Sequence, residues 1–491
     1  MAETPAARPN PAPDARAASP RGAGRDRPAL ALLIAALAVG LLRFWRLGEW
    51  SLWIDEAYTY ADAWFGARGD GVWNPLGYEL VRVTAEWFGG RPDEFALRFG
   101  PAVAGWLCLP AAFLAFRSLV GDRRAALVAL LLAVSPWHVY WSQNARFYTF
   151  AMLTSLVGSG AALRGLFAGR TLTTLLGLAV MAAAAAFHVT AAALVPAFAL
   201  ALPFAGRFGA RSTPEVARAS RFVLVALAVG ALAASPWLWT ALQQHGEEKG
   251  TLDPLRGPAH LLLTSGFFYT PLVGAGALIG ALWAWRTRNL PGLFAAGVAL
   301  IGMGGLLLVS TRMLMTAQYT FCLLPWVLLV AVAPLEALGK CNAGRALFWA
   351  GGGALAATLF ASTLLYFTTR RGERPRWREA FEFVDAERES GDLVLSMGAP
   401  LAEFYLGAAE PDPRRPREVK ALADWFPDGP RRWNRHDRRA WIVTRPQWLP
   451  SFRPQDVASI EAWLANDCRL VESFPVLMEG KDLEVRVYVF E

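Results

Sequence analysis

Long apolar runs that recur along most of the chain are the feature that most constrains its fold. Between Pro28 and Phe367 they are separated by short turns and charged segments, and a helix needs about 20 mostly apolar residues to cross a bilayer. Hydrophobic residues make up 55% of the 491 residues, with 21 Trp and 29 Phe, which is atypical of a soluble protein. The sequence therefore predicts a polytopic α-helical membrane protein with roughly eleven transmembrane helices. The predicted spans lie near residues 28–47, 95–117, 124–141, 146–166, 171–187, 189–206, 221–241, 260–285, 290–309, 315–338 and 345–367.

Charged residues set the predicted orientation. Five arginines precede the first span, and basic residues recur in alternate loops, whereas the loop after the first span carries Asp55, Glu56 and Asp62. Because short basic loops stay in the cytoplasm, we expect a cytoplasmic N-terminus and an extracytoplasmic C-terminal region. This bias accounts for the net charge of +8, so nucleic-acid binding is not needed to explain it.

The chain divides into three predicted regions. Residues 1–28 are rich in Ala, Pro and Arg without apolar periodicity, which is typical of a disordered arm. Residues 29–369 contain the spans, with residues 48–94 as a candidate catalytic outer loop. Residues 370–491 carry short helix and strand patterns that indicate a small soluble α/β domain. Helices are predicted over 377–390, 399–406 and 456–464, strands over 392–396, 441–444, 469–474 and 483–490, and a basic loop or lid over 411–439.

The first outer loop supplies adjacent acids where the chain leaves the membrane. Trp45, Trp50 and Trp53 follow the first span, and Asp55 and Glu56 come next. One carboxylate is enough for direct displacement at a sugar, because it accepts the proton of the attacking hydroxyl while a phosphate leaves without an acid. Glycosidases need two carboxylates, since their leaving group must be protonated. Acids at such a position are also typical of a solvated surface, so the residues alone leave both interpretations open.

A short helix over residues 53–63 would sort these side chains by face. Helical spacing places Asp55, Thr59 and Asp62 on one face. If the helix lies on the membrane surface, Tyr60 is expected to face lipid.

A second polar and aromatic cluster, SPWHVYWSQNARFY, occupies residues 135–148. Pro136 is expected to break the third span, and the aromatic side chains suit a membrane interface. Arg146 could hold a phosphate through its planar guanidinium, or it could anchor its helix at the interface. His138 and the later His188 could ligate a metal or bond a backbone carbonyl. These alternatives stay open on the residues alone.

Three segments carry a resemblance to a known family. The runs SLWIDEAYTYADAW, NPLGYEL and SPWHVYWSQNARFYTFAML resemble the bacterial membrane glycosyltransferases of the GT-C superfamily, family 39 type, which are related to protein O-mannosyltransferases and to the lipid A aminoarabinose transferase. The match is densest over residues 43–155. The resemblance implies an inverting transferase on the outer face of the cytoplasmic (inner) membrane. It would move a sugar from a polyprenyl-phosphate donor to an envelope lipid, glycan or protein.

The resemblance also implies roles for particular residues. The family's catalytic base carries onto Asp55, with Glu56 beside it. Its Arg and Tyr after the second cluster carry onto Arg146 and Tyr148, as donor-phosphate and structural contacts. The further candidates for substrate binding are Tyr58, Asn74, Tyr78, His138, Gln143 and Arg312.

The chain departs from the family pattern at three positions. Asn74 stands where relatives have His, Asn144 where they have an acid, and Gln318 where many have Arg before Tyr, which leaves Arg312 as the nearest cation. No cofactor is predicted, and the resemblance leaves room for a divalent ion without predicting one. Two other classes of function remain as alternatives: a lipid or polysaccharide transporter, and a catalytically silent scaffold of the cell envelope.

Overall fold

The computed structural model describes residues 27–66, 74–205, 256–335, 342–407, 419–425, 439–451, 454–478 and 481–491, with a few isolated positions between 225 and 240. Residues 1–26 of the predicted arm, most of the predicted span 221–241 and most of the basic stretch 411–439 therefore lie outside the described residues.

Helices make up the region before residue 370, as the apolar runs predict. They are α1 (Arg27–Gly40), α2 (Ile54–Phe65), α3 (Pro75–Glu86), α4 (Glu94–Val120), α5 (Asp122–Ala133), α6 (Pro136–Ser142), α7 (Tyr148–Phe167), α8 (Thr171–Ala183), α9 (Leu194–Ala205), α10 (Arg256–Tyr269), α11 (Pro271–Thr287), α12 (Leu290–Ser310), α13 (Leu324–Ala331) and α14 (Asn342–Phe367). Short 3₁₀ segments extend α1 to Phe44 and precede α9 and α13.

The chain is a multi-pass membrane protein. Among the described residues, five helices are long and apolar enough to cross a bilayer, and the number rises to seven if each of two bent helix pairs is one span. Shorter apolar helices occupy residues 171–186, 189–201 and 317–331, where three more spans are predicted. The total of roughly eleven spans stays a prediction.

Two predicted spans are bent rather than continuous. In the predicted span 124–141, α5 and α6 meet at 63°, and in the predicted span 260–285, α10 and α11 meet at 103°. Proline stands at the first position of α6 and of α11, where its missing N–H is harmless but where it cannot continue the preceding helix. Ser135 and Thr270 cap the new helices by accepting hydrogen bonds from backbone N–H groups. These caps explain why the chain bends at both places.

The tail forms the predicted α/β unit around a five-stranded sheet. Its helices are α15 (Trp377–Glu387), α16 (Ala399–Tyr405), α17 (Leu422–Trp425) and α18 (Pro454–Asn466), and its strands are β1 (Leu393–Ser396), β2 (Val419–Ala421), β3 (Ala440–Thr444), β4 (Arg469–Phe474), β5 (Leu477–Met478), β6 (Lys481–Asp482) and β7 (Val485–Phe490). The sheet order is β2-β1-β3-β7-β4, with β1 parallel to β2 and β3, and β7 antiparallel to β3 and β4. Strand β2 and the small β5–β6 hairpin are not predicted by the sequence.

The tail packs directly against the first outer loop. Buried residues of α2, α3 and α4 form one hydrophobic cluster with residues of α15, α16, β1 and β3. The Tyr405 hydroxyl accepts a hydrogen bond from the Leu52 nitrogen (2.6 Å) and donates to Glu94 (2.8 Å). Arg378 also donates to Glu94 (2.8 Å). The prediction that Tyr60 faces lipid is wrong, because its ring is buried and lies 5.1 Å from the ring of Phe404.

Candidate active site

The site is built around the first turn of α2, which begins within one residue of its predicted start. Trp53 precedes the helix in extended conformation, and its backbone nitrogen donates to the Glu56 carboxylate (3.1 Å). Successive residues of an α-helix project about 100° apart. Asp55 and Glu56 therefore point in different directions from the same turn, although they are adjacent in sequence.

Glu56 points into the protein and is completely buried. Arg98 of α4 binds it with two hydrogen bonds, from Nε to Oε1 and from Nη2 to Oε2, both 2.8 Å. The Ala145 nitrogen donates to Oε1 (2.7 Å), and Arg374 Nε lies 3.5 Å from Oε2. Burial would raise the pKa of Glu56, but the two arginines outweigh burial and hold that pKa below its ordinary value. The geometry favours a positioning role for Glu56, since its carboxylate is enclosed on all sides.

Arg98 ties the same turn to the preceding loop. Its guanidinium donates to the carbonyl oxygens of Leu47 (3.1 Å), Trp50 (2.8 Å) and Ser51 (2.9 Å). All five N–H groups of arginine lie in one plane, so a single side chain fixes both the loop and the carboxylate. The start of α2 is thereby held rigidly against α4.

Asp55 points the other way and is half-buried. Within the described parts of the chain, its carboxylate accepts no side-chain hydrogen bond. Arg146 lies beside it: Arg146 Nη1 donates to the Asp55 backbone oxygen (3.2 Å) and to Thr59 Oγ1 (2.8 Å). A carboxylate without a fixed partner beside a fixed cation is suited to accept a proton from a bound molecule.

Arg146 is held in place mainly by neutral groups. Its guanidinium carbon lies 4.6 Å above the Phe147 ring. Burial alone would lower the pKa of Arg146. The Asp55 carboxylate and the Tyr78 and Tyr148 hydroxyls outweigh burial and raise that pKa above its ordinary value, so the guanidinium stays charged. Its buried Nε has no hydrogen-bond partner among the residues that the structure describes. Arg146 can therefore donate to an additional anion.

Aromatic side chains line the neighbourhood of this pair. The Tyr148 ring lies 4.3 Å from that of Trp141 and 4.6 Å from that of His188, and the His188 ring lies 5.6 Å from that of Tyr319. Tyr78 lies 5.1 Å from Phe147. The structure thus brings Asp55, Arg146, Tyr148 and Tyr78 together, and their roles in the reaction stay predictions.

His138 and Gln143 lie apart from that group and contact the first span. The buried His138 Nδ1 is 2.7 Å from Arg43 Nη2. Gln143 Nε2 donates to the Arg43 oxygen (3.1 Å) and the Trp45 oxygen (2.7 Å), and its Oε1 accepts from Tyr366 (3.1 Å). These bonds favour structural roles for both side chains. Their predicted role in substrate binding stays a prediction.

The other candidates occupy the margins of the site. Asn74 precedes α3 and its buried Oδ1 has no hydrogen-bond partner among the described residues. Tyr58 is partly exposed on α2. Arg312 lies in the loop after α12, and its side chain forms no hydrogen bond or ion pair with any part of the chain that is described. Their contacts with substrate stay predictions.

Arg374 is a functional candidate that sequence reasoning missed. It follows the last span by a few residues, is 3% exposed, and approaches Glu56 across more than 300 positions of sequence. No spacing rule connects residues so far apart. Arg374 lies three residues before the helical pattern of the tail, among several other arginines, so the sequence does not single it out.

No metal-binding group is evident in the parts of the chain that are described. Nowhere there do three His, Cys, Asp or Glu side chains converge in a suitable arrangement. The expectation that no cofactor is needed, with room for a divalent ion, stays untested.

The fold places the chain among membrane proteins with the GT-C architecture, which confirms the resemblance at the level of the fold. The oligosaccharyltransferase of Archaeoglobus fulgidus, in a crystal structure with Zn and sulfate, matches 92% of this chain and 72% of its own, with a TM-score of 0.50 and 13% identity. ArnT from Cupriavidus metallidurans matches 94% of this chain and 97% of its own. The TM-score and identity are 0.49 and 14% in the apo state, and 0.48 and 15% when it is bound to undecaprenyl phosphate. No family model matches the chain, and no curated protein is similar to it in sequence.

Proposed function

We propose that this protein is an inverting glycosyltransferase that uses a polyprenyl-phosphate-linked sugar. The observation that carries the proposal is the Asp55–Arg146 pair: among the described residues, the Asp55 carboxylate accepts no side-chain hydrogen bond, and the buried Arg146 guanidinium beside it has an Nε–H group without a partner. A base and a phosphate-binding cation are the two groups that displacement of a sugar from phosphate requires. The similar fold of an oligosaccharyltransferase supports the same class of reaction.

The chemistry follows from the positions of the two groups. Asp55 accepts the proton of an acceptor hydroxyl while the hydroxyl oxygen attacks the anomeric carbon of the sugar. The bond between that carbon and the phosphate oxygen breaks, and the electron pair leaves with the phosphate. Arg146 compensates the negative charge that the phosphate gains. The products are a glycosylated acceptor and polyprenyl phosphate, with inversion at the anomeric carbon.

The proposal includes a location and a set of partners. The donor is a hexosyl or pentosyl polyprenyl phosphate, and the acceptor is an envelope lipid, glycan or protein. The site faces the outside of the cytoplasmic membrane, with the N-terminus in the cytoplasm and the tail domain outside. The charge distribution of the loops supports this orientation.

Replacement of Asp55 by Asn tests the proposal. The purified protein, in nanodiscs, is offered a panel of polyprenyl-phosphate hexoses and pentoses with envelope membranes of a deletion strain as acceptor. Mass spectrometry then follows the glycosylated product and released polyprenyl phosphate. We expect D55N to lower transfer by a factor on the order of 100 or more, the contribution of a general base. D385N is the matched control, because Asp385 is 58% exposed on the tail. Transfer by D55N at the rate of the control would refute the assignment.

A further inference from the structure

Arg374 lies at the junction between the last span and the tail domain. Its side chain reaches Glu56, the buried acid of the candidate active site. The residue is 3% exposed, and its Nε lies 3.5 Å from Glu56 Oε2. The guanidinium carbon lies 4.5 Å above the Tyr140 ring and 6.0 Å from the Trp53 ring. Arg374 thus lies against helix α6 and the buried acid of α2, and close to Trp53, the residue that precedes α2.

Stability alone is a poor explanation for this arginine. Arg98 already neutralises Glu56 with two hydrogen bonds of 2.8 Å, so Arg374 adds a second positive charge to one carboxylate. Its Nη2 is buried without a hydrogen-bond partner among the described residues. Burying a charge that is only partly compensated costs free energy. A second cation therefore suggests a requirement of the site rather than of the fold.

The geometry shows what Arg374 controls. Glu56 accepts hydrogen bonds from the Trp53 and Ala145 nitrogens (3.1 and 2.7 Å), so its carboxylate fixes the start of α2 relative to the loop that carries Arg146. Asp55 is the adjacent residue on the same helical turn. A shift of the helical turn that Glu56 anchors therefore moves Asp55 relative to the Arg146 guanidinium.

We propose that Arg374 is a positioning residue for Asp55. It completes the enclosure of the Glu56 carboxylate and makes the alignment of the catalytic base depend on docking of the tail domain. The inference rests on the proposed function for its kinetic consequence, while the structural part, that Arg374 orders the start of α2, can be tested separately.

The test compares Arg374→Gln with Arg374→Lys and with a neighbouring control, Arg376→Gln. Arg376 is about one-third exposed and bonds only to Glu379 among the described residues. In R374Q we expect kcat for the active donor to fall by a factor on the order of 100, because small displacements of catalytic groups reduce rates by such factors. The KM for the donor should be nearly unchanged. R374K should recover part of kcat because it restores the charge. Hydrogen exchange of the peptide over residues 53–65 should accelerate in R374Q alone.

A pH profile separates positioning from general loss of structure. Without Arg374, burial of Glu56 is less compensated, so its pKa rises and the acid limb of kcat should move to higher pH in R374Q but not in R376Q. Uniformly faster exchange across the protein, without a moved acid limb, would overturn the inference, as would unchanged kcat and exchange. If D55N retains transfer while R374Q still loosens residues 53–65, the proposed function fails and the ordering of α2 by Arg374 stands.

Discussion

Replacement of Glu56 by Gln removes the charge that two buried arginines share, and the contacts allow its cost to be worked out. Both carboxylate oxygens of Glu56 accept hydrogen bonds from Arg98, Trp53 or Ala145. Gln has an NH₂ group in place of one of these oxygens. That NH₂ group must therefore face at least one N–H donor. Arg98 is 1% exposed and is left without a counter-charge, and loss of one partner of a buried ion pair costs about 3–5 kcal/mol.

The lower end of this range is expected, because Arg98 keeps its three carbonyl acceptors. The free energy of unfolding should therefore fall by about 3 kcal/mol, measured by SDS titration of the purified protein with tryptophan fluorescence as the signal. Glu79→Gln is the matched control: its ion pair with Arg82 lies at the surface, where such pairs contribute little. A loss in E56Q of less than about 1 kcal/mol, the scale of a single neutral hydrogen bond, would refute the reasoning.

Three further predictions follow from the same contacts. Arg146→Lys keeps the charge but loses the planar fork, so binding of undecaprenyl phosphate in nanodiscs should weaken by a factor on the order of ten; unchanged binding would argue against a phosphate at Arg146. A Cβ on Gly77 would lie 2.5 Å from Phe147 Cγ, so Gly77→Ala should lower the unfolding free energy by about 1–3 kcal/mol, measured by the same SDS titration. The pKa of Glu56 lies below its ordinary value of 4.5 in the folded chain. Its contribution to stability should therefore be complete above the ordinary value and be lost as pH falls through the lowered value, a dependence that E56Q should lack.

Much of the fold follows from short-range pattern. The predicted strand 469–474 agrees with β4 at both ends, and the predicted helix 377–390 begins where α15 begins, because each pattern is set by neighbours in sequence. The sequence does not predict the bend between α10 and α11. The apolar pattern continues through Thr270 and Pro271, and hydropathy carries no information on the direction of a helix axis. Strand β2 was missed because three residues are too few to establish a period.

The sequence predicts the group around Asp55 better than it predicts the residues that hold this group in place. The resemblance implies roles for Asp55, Arg146 and Tyr148, and the structure places these three residues near one another. The residues that hold this group were not predictable, because the arginines around Glu56 come from α4 and from the junction after α14. Contacts between distant segments depend on how helices pack, and no local pattern encodes them. His138 is a candidate for substrate binding on sequence alone, because its contact with Arg43 cannot be predicted from the sequence.

Helical geometry gives the two adjacent acids of the first outer loop, Asp55 and Glu56, different surroundings. Two neighbouring residues on α2 cannot share a face, so one carboxylate must turn inward when the other faces the substrate. A buried carboxylate is costly unless it is paired, and Arg98 with Arg374 supplies more positive charge than Glu56 requires. Glu56 then adds no net negative charge beside Asp55, whose backbone oxygen accepts a hydrogen bond from the Arg146 cation. The pairing of Glu56 thus keeps the surroundings of Asp55 favourable to the phosphate that the proposed reaction must bind.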